Sequence, residues 1–148
     1  MTAALAAALE AGERGEVPVG AVVVRDDEVL ASAGNASIAE HDPAGHAEVV
    51  ALRAAARAMR NYRLTGATLY VTVEPCLMCV GAALHARVER LVFGCADPKG
   101  GAAGSLYDVT DDPRLNHRIT VVSGVEEDAC RALLQQFFRA RRKSRATR

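Results

Sequence analysis

Two short groups of residues carry side chains suited to chemistry: His46-Ala47-Glu48, and Pro75-Cys76-Leu77-Met78-Cys79. Each is weak alone. A His-x-Glu triplet arises by chance in many chains, and a C-x-x-C pair is redox-active in one setting and structural in another. Together they form a metal-binding set. Zinc prefers tetrahedral sites with thiolate and imidazole donors. Cysteines three apart at the start of a helix turn both sulfurs the same way, and the helix N-terminus favours their thiolate forms. His46 supplies a neutral nitrogen. Three protein donors leave a fourth position for water, whose pKa zinc lowers to about 7. Glu48 is the candidate to take that water's proton and pass it to a leaving group.

One point of geometry stays open. Residues two apart on a helix of 3.6 residues per turn point in nearly opposite directions. Either His46 precedes its helix or the Glu48 side chain curls back. A closed structural site with a fourth ligand drawn from His41, His85, Cys95 or His117 is a competing reading. Closed sites are usually built from two tight ligand pairs, and no second C-x-x-C or H-x-x-x-H is present. A thioredoxin-like use of the C-x-x-C would leave His46 and Glu48 unexplained.

These residues need elements to hold them. A first helix is expected over Thr2–Gly12, capped by Thr2 and stopped by Gly12, with Leu5 and Leu9 one turn apart. Two β-rich runs, Gly20–Val24 and Val29–Ala33, flank the polar Arg25-Asp26-Asp27-Glu28, which reads as a hairpin. A loop over Asn35–Gly45 leads to a helix near His46–Arg60, with Ala47, Val50, Ala51, Ala54 and Ala58 as its apolar stripe. Thr68–Val73 is strongly β-prone. A helix opens at the cysteines, with Pro75 in its first turn. Arg90–Ala96 reads as a buried strand. The Gly-rich Asp97–Asp112 follows, and its Gly100–Gly104 core lacks a P-loop ending and reads as a flexible flap. Ile119–Val122 is a last strand. A final helix starts near Gly124, with acidic residues first, arginines last and an apolar stripe of Cys130, Leu133, Leu134, Phe137 and Phe138; one of the two phenylalanines is expected to be buried and the other nearer the surface. Helices alternating with strands predict an α/β, three-layer α/β/α fold with a five-stranded mixed sheet.

The chain has 148 residues, half of them hydrophobic, with zero formal net charge. This suits a single domain over 1–148 with a full core. No apolar run approaches the roughly 18 residues of a membrane helix, and Ala3–Leu9 lacks the basic flank of a signal peptide. Four cysteines without a secretory signal point to a reducing, cytoplasmic setting rather than a disulfide framework. Charge is uneven. Arg139, Arg141, Arg142, Lys143, Arg145 and Arg148 form a basic tail without an acid, so the rest of the chain is acidic by the same amount. A polyanionic partner and a merely solvated, frayed terminus both fit that pattern.

The H-A-E and P-C-x-x-C pair resembles the cytidine/adenosine deaminase superfamily. The wider pattern resembles the bacterial tRNA adenosine deaminases. It is carried by Glu16-Val17-Pro18-Val19-Gly20-Ala21-Val22, His41-Asp42-Pro43, Asn61-Tyr62-Arg63-Leu64, Ala67-Thr68-Leu69-Tyr70-Val71-Thr72, Gly101-Ala102-Ala103-Gly104-Ser105-Leu106, Asn116-His117-Arg118 and Phe137-Phe138-Arg139. These stretches span nearly the whole chain. The resemblance implies a cytidine-deaminase-like fold and one Zn2+ per subunit on His46, Cys76 and Cys79. It implies hydrolytic conversion of adenosine to inosine at the wobble position of a tRNA anticodon, with attack by activated water at C6 and Glu48 moving protons. An unstacked anticodon base is accessible to such a pocket. The resemblance also implies substrate contacts at Asn35, Asp97, Lys99, Asn116, Phe138, Arg141 and Arg142, and a homodimer. The Ala47 backbone N–H is a further candidate contact to the base. Cys95 departs from the small residue usual at its position. Two other functions compete: zinc deamination of a free base or nucleoside of guanine or cytosine type, and a zinc-stabilised RNA-binding module without catalysis.

Overall fold

The computed structural model describes residues 1–148. Its elements are α1 (Thr2–Glu13), β1 (Gly20–Arg25), β2 (Glu28–Gly34), α2 (Ala47–Met59), β3 (Thr68–Val73), α3 (Leu77–His85), β4 (Arg90–Cys95), β5 (Thr120–Val122) and α4 (Glu127–Ala146). The order is the one expected from the sequence. One sheet runs β2-β1-β3-β4-β5. β1 is antiparallel to both β2 and β3, while β3–β4 and β4–β5 are parallel, so the sheet is mixed. α1 and α4 lie together on one face and α2 and α3 on the other, giving three layers.

Local chemistry explains the joints. Asp26 and Asp27 carry φ of 52° and 61° and form the β1–β2 turn. Two successive left-handed residues match the twist of a tight hairpin, and aspartate tolerates that region. In β3, Leu69 and Val71 enter the core with Val23, Leu91 and Phe93, beneath Ala51, Leu52 and Ala55 of α2. This places the starts of α2 and α3 side by side over one end of the sheet.

The structure corrects several sequence expectations. Thr2 does not cap α1; Met1 holds that position and no side chain caps the helix. Gly12 does not stop it, because α1 continues to Glu13 and the left-handed turn falls at Gly15, with φ 87°. Its buried side is Ala4, Ala7, Ala8 and Ala11, and Leu9 is 51% exposed. The reason is close approach: a Cβ on Gly34 would sit 2.7 Å from the Ala11 Cβ, and one on Gly20 would sit 2.6 Å from the Ala8 nitrogen. Only alanines fit a helix lying that near the strands. In α2 the buried face is Ala47, Glu48, Val49, Ala51, Leu52 and Ala55; Ala54 and Ala58 are exposed. Alanines on most sides of this helix hide its orientation in the sequence.

Pro75 precedes the cap residue Cys76 and so lies outside the first turn of α3. The helix α4 begins at Glu127, because Gly124 and Glu126 have φ of 78° and 54° and bend the chain first. Residues 139–146 are not a frayed tail but the last turns of α4. Along α4 only Cys130 is buried, beneath the bare backbone of Gly94, where a Cβ would lie 2.9 Å from the Cys130 Cβ. Phe137 is half-buried and Phe138 is 42% exposed; neither phenylalanine is fully buried.

Candidate active site

The site forms where two helices begin. His46 has extended backbone, φ −72° and ψ 148°, and immediately precedes α2. Cys76 has φ −75° and ψ 175° and immediately precedes α3, whose first turn contains Cys79. The open question of geometry is thereby settled: His46 stands outside its helix, so it and Glu48, in the first turn, need not diverge as two residues of a continuous helix would. His46 Nδ1 lies 3.4 Å from Cys79 Sγ and 3.6 Å from Cys76 Sγ. The three donor atoms all lie within 4.8 Å of one another.

This donor set fits a zinc ion. With Zn–N of about 2.1 Å and Zn–S of about 2.3 Å, tetrahedral angles place nitrogen and sulfur about 3.6 Å apart. No other His, Cys, Asp or Glu joins the group. His117 Nε2 is 2.7 Å from the Val88 carbonyl oxygen, and the Cys95 thiol faces the Thr72 carbonyl at 3.7 Å. His41 and His85 are exposed. The protein thus offers three ligands and leaves the fourth position open, as a site that activates water requires.

Electrostatics prepares the sulfurs unequally. The Cys79 thiol donates to Cys76 and pulls its pKa down to about 5; burial opposes this, while the Cys79 N–H and His46 reinforce it. Cys79 is pushed well up by its hydrogen bond with the Cys76 sulfur and by burial. The pair therefore holds one thiolate before any metal arrives, on the sulfur at the helix N-terminus. Glu48 is 4% exposed. Burial pushes its carboxyl up, against the opposing pull of its own backbone N–H, the neighbouring Cys79 thiol and His46. A carboxyl raised in this way holds a proton more readily than an exposed one, which suits a group that must carry a proton and pass it on.

Three side chains brace the site from the approaching loops. Asn35 Oδ1 accepts the Ala47 N–H at 2.8 Å, so this N–H, a candidate contact for a base, is already donated within the protein. Asn35 thereby ties the end of β2 to the first residue of α2. Glu16, 2% exposed, accepts the N–H groups of Ile38 at 3.0 Å and Ala39 at 2.8 Å and pins the loop that delivers His46. Glu74, 3% exposed, accepts the N–H groups of Asp97, Ala103 and Ser105 at 3.1, 3.1 and 3.0 Å, and also the Ser105 hydroxyl. Burial pushes the Glu74 carboxyl up, but these donors outweigh it and hold the carboxyl below the usual range. Sequence reasoning missed Glu16 and Glu74. The one available signal was position: Glu74 follows an apolar strand and directly precedes Pro75-Cys76.

The Gly-rich segment is accordingly not a loose flap. Gly101, Ala102 and Ala103 are buried, the Ala102 N–H donates to the Pro75 carbonyl at 2.8 Å, and Gly101 has no room for a side chain beside the Glu74 carboxylate. Asp97 uses its carboxylate within this turn, accepting the N–H of Lys99 at 3.1 Å and of Gly100 at 3.3 Å. Lys99 is exposed and shares a groove with Arg131, Phe138, Arg139 and Arg142 of α4. Arg141 lies outside that lining, with its guanidinium 5.0 Å from the Phe137 ring centroid. Asn116 is exposed and lines a different cavity with Leu84, His85 and His117.

A family model described as the cytidine and deoxycytidylate deaminase zinc-binding region matches residues 1–95. A curated tRNA-specific adenosine deaminase of Bacillus subtilis (strain 168) is 47% identical over 145 residues, covering 98% of this chain and 90% of the relative. A solved structure from work on A-to-I editing by tRNA:A34 deaminases at the wobble position superposes with TM-score 0.85 at 44% identity, covering 90% of this chain and 97% of that one. A guanine deaminase from Nitrosomonas europaea superposes with TM-score 0.78 at 22% identity, covering 90% and 80%, and shares the fold.

Proposed function

The chain belongs to the cytidine and deoxycytidylate deaminase family, among the tRNA-specific adenosine deaminases, and we propose that it hydrolyses adenosine to inosine at the wobble position of a tRNA anticodon. The observation that carries this reading is the approach of His46 Nδ1 to two cysteine sulfurs at 3.4 and 3.6 Å, with buried Glu48 beside them. His46, Cys76 and Cys79 would hold the zinc, which when bound supplies Lewis-acid activation of water. Glu48 takes one proton from the attacking water and delivers it to the purine ring nitrogen beside C6, then takes the proton of the new C6 hydroxyl and delivers it to the departing 6-amino group. A C6–O bond forms, the C6–N6 bond breaks, and ammonia leaves. Asn35, Asp97, Lys99, Asn116, Phe138, Arg141 and Arg142 are proposed as substrate contacts. The groove that joins Lys99 to Phe138 and Arg142 supports this for the RNA backbone, since cations track phosphates and an exposed ring offers a base a stacking surface. The Asp97 carboxylate is occupied by its own turn.

We further propose a homodimer acting in the cytoplasm. Leu77 and Met78 of α3, together with Leu106, Tyr107 and Leu115, are exposed apolar side chains that a second copy would cover. No helix is long and apolar enough to cross a membrane. The test of function is incubation with an anticodon stem-loop bearing a wobble adenosine, with free guanine and cytidine as parallel substrates. Inosine in the stem-loop alone is expected. Turnover of guanine or cytidine without inosine would reassign the substrate, and no turnover of any would return the chain to a binding role. Light scattering is expected to give the mass of two chains; a monomer would overturn the dimer.

A further inference from the structure

We infer that Glu74 is a positioning residue: it latches the loop that carries Lys99 to the strand that delivers the metal ligands, and so sets the floor of the RNA-binding groove. The inference rests on the RNA-binding reading above.

The geometry is specific. Glu74 lies between β3 and Cys76, and its N–H donates to the Cys95 carbonyl at 2.9 Å, continuing the β3–β4 pairing by one residue. That pairing fixes its backbone. Its carboxylate reaches into the following loop, where it gathers three backbone N–H groups and one hydroxyl from Asp97, Ala103 and Ser105. One carboxylate thus holds both ends of a nine-residue turn, Asp97 to Ser105. Gly101 packs against the same carboxylate, which leaves no space for a Cβ there. A second tether runs beside the first, from the Ala102 N–H to the Pro75 carbonyl at 2.8 Å. Inside the turn, the Asp97 carboxylate orders Lys99 and Gly100, and Lys99 emerges opposite Phe138 and Arg142. Glu74 belongs neither to the metal-binding group nor to the groove lining, yet it connects the two. A buried carboxylate with its acceptors filled is a rigid joint, because loosening it would leave buried charge and buried N–H groups without partners.

The test uses the zinc-loaded full chain and two variants, Glu74→Gln and Ser105→Ala. In Glu74→Gln an amide NH2 confronts backbone donors. Ser105 is exposed, so its variant removes one donor at little risk to folding. Amide hydrogen exchange at Ala103 and Ser105 is expected to quicken about tenfold or more in Glu74→Gln and a few-fold in Ser105→Ala, as befits a lost charge-assisted bond. KM for the stem-loop is expected to rise about tenfold in Glu74→Gln, with kcat within about twofold and zinc content unchanged. Unchanged exchange in both variants would overturn the latch. Faster exchange with a fall in kcat and an unchanged KM would overturn its role in the groove. If the parent protein makes no inosine, the proposed function fails on its own, and the exchange measurements still decide whether Glu74 holds the loop.

Discussion

Cys76 and Cys79 are alike in sequence and opposite in character. Cys76 is drawn down to about 5 while Cys79 is pushed up, so the metal-free pair carries a single negative charge near neutrality. Iodoacetamide at pH 7 is therefore expected to modify Cys76 first, with a rate that rises through a midpoint near pH 5. Cys95 is pushed up by burial and Cys130 to about 11, and both should lag. Added zinc should protect Cys76. Peptide mapping after alkylation reads all four thiols; uniform labelling would contradict the assignment. The same shift has a sign for stability. A thiol lowered on folding contributes stability that is fully present above the unfolded pKa of about 8.5 and is lost as pH falls through the folded value near 5. The Cys76 share of the stability of metal-free protein should therefore fall from pH 8 to pH 5, read as the difference between urea melts of the parent and of Cys76→Ala. Glu48 gives the second prediction at this scale. Glu48→Gln should keep its zinc and its melting behaviour but lose about a hundred- to ten-thousand-fold in turnover, the usual worth of a positioned proton carrier. Metal analysis beside single-turnover rates checks this, and surviving activity would remove Glu48 from the mechanism.

At the scale of elements, the site depends on strands that stop and helices that start in register. β1 carries Gly20 under α1 so closely that a methyl group there would meet Ala4 and Ala8 backbone atoms. Gly20→Ala is expected to destabilise the fold by about 1–3 kcal/mol or more, the range of overpacked interiors. Backbone atoms, unlike a flexible side chain, cannot swing aside. Denaturant midpoints compared with the parent measure it, and a neutral result would mean that α1 can slide. The Gly20 N–H also donates to the Thr72 hydroxyl of β3 at 3.2 Å, so a shift of β1 would disturb the strand leading to Glu74 and Cys76. The fully buried side of α1 is alanine because the strands leave no space for leucine.

The whole molecule separates its charges. Zero net charge conceals a basic end on an acidic body, and the fold gives that end rigidity by extending α4 through residue 146. Arg142 faces the groove beside Lys99 and Phe138, whereas Arg141 stacks on Phe137. Arg142→Ala should weaken stem-loop binding uniformly across sequences and reduce the slope of log K against log salt by about one, the signature of one lost phosphate contact. Arg141→Ala should cost less binding and more helix packing. A salt titration of both variants by fluorescence anisotropy distinguishes them; an unchanged slope for Arg142→Ala would exclude the phosphate contact.

Sequence by itself determined the chemistry and the element order. The clustering of His46, Cys76 and Cys79 was legible because zinc chemistry restricts donor types and because each group falls at a break between periodic segments. The strand β3 was legible to the residue because Thr68–Val73 is short, β-branched and bounded by turn and proline signals. What only the tertiary structure decided was orientation. Extended backbone at His46 and Cys76, the choice of Nδ1 as the inward nitrogen, and the inequality of the two thiols arise from two helix starts meeting across a sheet. The buried faces of α1 and α2 followed from strand proximity rather than from side-chain size. Glu16 and Glu74 were invisible as braces because a buried carboxylate is stable only through N–H groups that lie far away in sequence, and no local pattern of residues reports where those groups will come to rest.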